Sequence, residues 1–109
     1  YTAALRNIPD IITPSETLER YHTYHQYVVQ VRDRTAFQEF LAIRGISTLI
    51  HYPIPIHQQR YYVECKDQAV YLPLTEKVAP HIVSLPIYPE LTDEQINSVV
   101  NNIRLFFPN

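Results

Sequence analysis

The spacing of apolar positions changes several times along the chain, and each change marks an element. The clearest alternation is HTYHQYVVQVR, His22 to Arg32. His25, Tyr27, Val29 and Val31 share one parity; Tyr24, Gln26, Gln30 and Arg32 share the other. A period of two with β-branched and aromatic residues predicts a strand, with His25 as a hydrogen-bonded interior histidine. The period then lengthens. Phe37, Phe40 and Leu41 fall at i, i+3 and i+4, which predicts a helix capped by Asp33 and running to about Arg44. Gly45 follows at the left-handed position beyond the helix end. ISTLIHY, Ile46 to Tyr52, predicts a second strand. Near the C-terminus, Ile96, Val99, Val100, Ile103 and Phe107 form the stripe of a helix. Thr92 and Gln95 fit a capping box there, and Leu91 and Ile96 stand where a hydrophobic staple forms.

Weaker patterns fill the rest. Residues 1–6 read as the last turn of a helix that begins upstream. Ile8, Ile11 and Ile12 suit a brief pairing, and residues 15–21 read as irregular. Pro53 and Pro55 end the second strand and hold Tyr52 and Ile54 extended, giving a stiff arm. A short helix is expected from Ile56 to Tyr61, and a loop over 63–74. Thr75 to Val83 suits a short helix that Pro80 kinks or ends. SLPIYPE reads as an edge strand, since Pro86 lacks a backbone donor. The sum is one small α+β domain of two layers: a short, mainly antiparallel sheet with helices packed on one face.

Composition narrows the chemistry. A chain of 109 residues is long enough for one core. Net charge −2 carries no nucleic-acid footprint. No apolar run approaches the roughly 20 residues of a membrane span. Cys65 is the only cysteine, so no disulfide closes within the chain, and a reducing, cytoplasmic setting is expected. A single glycine argues against a phosphate-cradling loop. His22 and His25 point to opposite faces of a strand, and Cys65 has no neighbouring cysteine, so the spacing argues against a metal. No local signature makes Cys65 a nucleophile. The arm in LIHYPIPIHQQR leaves two readings open. In one, His51, Tyr52 and His57 are preorganised for a ligand at a strand end. In the other, Tyr52 and Ile54 plug the core and the histidines line its rim.

Four ordered blocks decide what the arm resembles. They are HxYHxYVVxV from His22, RxxFxxxLxxRGIxTxxHYPxPIHxQ from Arg34, LPxTEKxA from Leu72 and SLPIYPELTxEQIxxV from Ser84. Together they resemble the C-terminal part of DegT/DnrJ/StrS-type nucleotide-sugar aminotransferases, over nearly the whole chain. The resemblance implies the small domain of the aspartate-aminotransferase type fold, with residues 1–6 ending the domain-linking helix. It implies a pyridoxal-phosphate enzyme that moves an amino group, from a donor such as glutamate, onto the keto group of a nucleotide-linked sugar. It also implies a homodimer with active sites at the subunit interface.

Carried onto this sequence, the HYP block implies substrate contacts by His51 and Tyr52, with His57 beside them orienting the arm. The HxYH block implies that His22 and Tyr24 sit at the cleft floor. Neither Lys66 nor Lys77 matches the family's cofactor-lysine neighbourhood, and the phosphate loop and cofactor aspartate have no counterpart here. The catalytic lysine is therefore expected on a large domain outside this chain, with no catalytic residue within it and no activity for it alone. Two alternatives stand beside this: a non-catalytic interaction or dimerisation module, and the same domain from a pyridoxal-dependent sugar dehydratase.

Overall fold

The structure, a computed structural model, describes residues 1–65 and 70–107. In chain order the elements are α1 (Thr2–Leu5), β1 (Ile11–Ile12), β2 (Tyr27–Val31), α2 (Arg34–Ile43), α3 (Arg60–Cys65), α4 (Pro73–Val78), β3 (Ile82–Leu85) and α5 (Asp93–Phe106). Single 3₁₀ turns cover Ile56–Gln58 and Ala79–His81. The sheet is antiparallel throughout, in the order β1-β2-β3. Tyr27 pairs with Leu85 and Val31 with Ile11, which puts β2 in the centre.

Alternation in β2 sorts its side chains. Tyr27, Val29 and Val31 are buried, and Val28 and Gln30 are half-buried. The buried face meets Val83 and Leu85 of β3, Phe37 and Leu41 of α2, and Val99, Val100 and Ile103 of α5. Each fully buried side chain of this kind stabilises the fold by about 1.5–3 kcal/mol relative to exposure. Phe106 and Phe107 close the far end of the core, edge-on and tilted against Phe37. The result is the expected two-layer α+β arrangement.

The helix ends follow their local chemistry. Asp33 accepts from the Ala36 N–H and caps α2. Gly45 has φ +74, and its N–H reaches the carbonyl of Ala42 while that of Ile46 reaches Leu41. This is a Schellman closure, which glycine adopts without a Cβ penalty. Thr92 and Gln95 complete the capping box of α5, each side chain accepting from the other's N–H. Pro73 enters α4 at its first turn, and Pro80 falls in the 3₁₀ turn that ends it, where its missing N–H costs least.

Five expectations need correction. The long strand from His22 is only Tyr27–Val31. Tyr24 has φ +51, a left-handed backbone that breaks the alternation, so His25 is exposed rather than interior. Ile46–Tyr52 forms no ladder; it makes one antiparallel bridge, Leu49 to Ser84. The helix expected from Ile56 to Tyr61 is split: a 3₁₀ turn, then an extended Gln59, then α3. The expected loop over 63–74 is helical at Val63–Cys65 and from Pro73, while its residues 66–69 lie outside the described residues.

Candidate functional site

The site starts at β3. Val83 and Leu85 point into the core, so Ser84 alternates to the opposite face of the sheet. Its backbone exchanges two hydrogen bonds with Leu49: Leu49 N–H to the Ser84 carbonyl at 3.2 Å and Ser84 N–H to the Leu49 carbonyl at 2.8 Å. That bridge registers the chain two residues before His51. The Ser84 hydroxyl, itself buried, then meets His51 Nδ1 at 2.8 Å. With Nδ1 engaged, Nε2 is the ring atom left for a ligand. If Ser84 donates, Nε2 carries the proton and donates outward; if Nδ1–H donates, Nε2 accepts. Tyr52 stands edge-on to the His51 ring at 5.6 Å and is 71% exposed.

Both side chains line a cleft of about 780 Å³ between this strand end, the segment after β3 and the first half of α5. His25, Tyr88, Gln95 and Ser98 line it too, mixing hydroxyl, amide and ring donors with apolar walls. Arg44 reaches its edge, but its guanidinium lies over the Phe40 ring at 3.5 Å and donates to the Phe40 carbonyl. A cleft of this size with a few convergent polar groups suits a small polar ligand.

The other sequence-selected residues lie elsewhere. His57 is buried, and its Nε2 meets Glu76 Oε1 at 3.0 Å, facing α4 rather than the cleft. His22 and Tyr24 stack at 4.4 Å, and the Tyr24 N–H donates to His22 Nδ1. Neither lines the cleft. Tyr24 instead continues a row of rings through Tyr27 to Tyr1. That row anchors α1: Tyr1 donates to the Pro86 carbonyl and Thr2 bonds the Tyr27 hydroxyl. Burial, reinforced by Tyr88 and Tyr27, pushes the Tyr1 phenol up to about 12. Desolvation, then the adjacent Glu16, pushes the Tyr24 phenol up as well. Burial raises the Tyr27 phenol, while bonds from Thr2 and Thr13 act the other way.

Tyr52 and Ile54 are exposed, so neither plugs the core. Sequence reasoning missed Ser84 and Glu76. Ser84 falls in the stretch that reads as an edge strand, and its one signal is a small polar residue inside an otherwise apolar strand. Glu76 lies 19 positions from its histidine, beyond any local pattern. Cys65 is exposed. No helix of the described residues is long and apolar enough to cross a membrane.

The sequence model of the DegT/DnrJ/EryC1/StrS aminotransferase family matches residues 1–104. The chain is 39% identical over 106 residues to the dTDP-3-amino-3,6-dideoxy-alpha-D-galactopyranose transaminase of Aneurinibacillus thermoaerophilus, covering 97% of this chain and 28% of that protein. Its fold matches the crystal structure of DesV from S. venezuelae with a TM-score of 0.91 and 30% identity, over 99% of this chain and 29% of the other. It also matches NtdA from Bacillus subtilis, solved with bound cofactor PMP, with a TM-score of 0.81 and 28% identity, over 96% and 25% of the two chains. The chain thus spans little more than a quarter of the relatives it matches.

Proposed function

This chain belongs to the DegT/DnrJ/EryC1/StrS aminotransferase family, and on that premise we propose that it is the C-terminal, substrate-contacting small domain of a pyridoxal-phosphate enzyme that aminates a keto group of a nucleotide-linked sugar. The relative acting on a dTDP-sugar supports the substrate class. The observation that carries the reading is His51, fixed by Ser84 through Nδ1 and set beside an exposed Tyr52 at the mouth of a cleft. A ring nitrogen and a phenol held in place suit the hydroxyls and phosphate oxygens of a nucleotide sugar. Little side-chain freedom is lost when they bind.

The described residues of this chain do not fit the cofactor itself. Lys77 is exposed on the last turn of α4, and Lys66 lies outside the described residues. The only glycine closes α2 and frames no phosphate loop. In this reading the cofactor's lysine and phosphate site belong to a large domain, which carries the amino group from a donor such as glutamate. His51 and Tyr52 orient the sugar nucleotide against it, and His22 and Tyr24 support the anchored end of α1. The apolar side chains left exposed along the arm and α4, Ile54, Ile56 and Leu74 among them, fit a face covered by that domain within a homodimer.

The test uses the full-length protein. His51→Ala and Tyr52→Phe are expected to raise KM for the nucleotide sugar about tenfold, the loss of one or two ligand hydrogen bonds. Cofactor absorbance stays unchanged. Unaltered KM and turnover in both variants would remove the site assignment.

A further inference from the structure

We propose that Glu76 is a positioning residue for the substrate arm, acting through His57. This rests on the reading that the arm contacts the nucleotide sugar. Pro53 and Pro55 stiffen the arm locally, yet stiffness alone does not aim it: a rigid segment points wherever its anchors place it. One anchor is the Leu49–Ser84 bridge, with the His51–Ser84 bond just beyond it. The other is His57. Among the described residues from 47 to 78 it is the only buried one, although the segment is rich in apolar side chains.

Its partner is built for the purpose. Glu76 Oε1 accepts from His57 Nε2 at 3.0 Å and from the Leu72 N–H at 3.1 Å. Leu72, the residue capping α4, offers no side-chain cap of its own, so the Glu76 carboxylate closes that helix start. One oxygen therefore ties the arm's far end to the first turn of α4. An apolar groove lined by Ile54, Ile56, Leu74 and Val78 separates arm and helix, so these side chains do not pack tightly across it. The 3₁₀ turn that holds His57 has only two backbone bonds, Gln58 N–H to Pro55 and Gln59 N–H to Ile56. With the tether cut, the arm keeps its local shape and loses its direction.

The experiment compares Glu76→Ala and Glu76→Gln in the full-length protein. Glutamine keeps an oxygen that accepts from both donors, so it serves as the conservative rescue. Glu76→Ala is expected to raise KM for the nucleotide sugar about tenfold, through misplacement of contacts rather than their removal. The half-reaction with the amino donor alone keeps its rate, which general unfolding would not allow. Glu76→Gln is expected to stay within about threefold of the native protein, keeping a neutral hydrogen bond. Hydrogen exchange at Gln58 and Gln59 gives a readout independent of activity, and it is expected to accelerate in Glu76→Ala only. Unchanged exchange and unchanged KM in Glu76→Ala overturn the tether. Faster exchange with unchanged KM keeps the tether and overturns the reading that the arm touches substrate. Equal losses in both half-reactions assign Glu76 to folding alone and also overturn the proposal.

Discussion

Two regions of this chain use apolar side chains in opposite ways. In the sheet and its two long helices, the apolar residues on the shared face are inside: Phe37, Leu41, Val29, Val83 and Ile103 are fully buried. Between residues 47 and 78 the order is reversed. Leu49, Tyr52, Ile54, Ile56, Tyr61 and Leu74 are exposed, and the one buried residue among those described is a histidine. The first region is held by its own packing. The second is tied down by polar contacts, among them the Leu49–Ser84 backbone bridge, the His51–Ser84 and Gln38–Thr48 bonds and the His57–Glu76 contact, and is stiffened by two prolines. Hydrophobic content therefore does not tell core from surface; what matters is whether the spacing of apolar residues lets one face close against another element.

The largest effect that sharpens this contrast is a paired truncation. Phe37→Ala empties the centre of the core and is expected to lower stability by about 3–5 kcal/mol. Leu74→Ala, similar in chemistry, is expected to change it by about 0.5 kcal/mol or less. Urea unfolding of this chain measures both, and equal losses would erase the distinction. Next comes the cap of α5. Thr92→Ala removes the acceptor for the Gln95 N–H and is expected to cost about 1 kcal/mol, read as a lower urea midpoint with unchanged m.

The smallest effect concerns the tyrosines that hold α1 to the sheet. Folding favours the neutral Tyr1 phenol, whose pKa rises from 10.0 to about 12. Its contribution is complete below about pH 10 and is lost as the pH climbs towards 12. The stability advantage of the native chain over Tyr1→Phe is thus expected to be constant near neutrality and to shrink above pH 10. Urea midpoints measured from pH 8 to 11 check the trend. An advantage that grows with pH would mean the phenol is not held neutral by burial.

Legibility in the sequence follows the same division. Asp33, Gly45, Thr92 and Gln95 announce the ends of α2 and α5, because capping is chemistry between residues two to five apart. The buried face of β2 is legible from alternation, but its start is not. Nothing in HTYH signals that Tyr24 takes a left-handed backbone; a ring stack with His22 and Tyr27 holds it there. At the site, His51 and Tyr52 were found through a family resemblance and the stiffness of Pro-x-Pro. Whether they plug the core or line a cleft depends on exposure, which a segment of mixed apolar and polar residues does not encode.

By itself, then, the sequence determined the α+β layer, the two long helices with their caps, the stripes that fill the core and the family. Each rests on short-range periodicity or on an ordered set of motifs. Only the tertiary structure decided which distant polar groups meet. Ser84 reaches His51 across 33 positions, and Glu76 reaches His57 across 19. Such pairs have no period, since a hydrogen bond between distant residues depends on where separate elements are carried by the packing of the core.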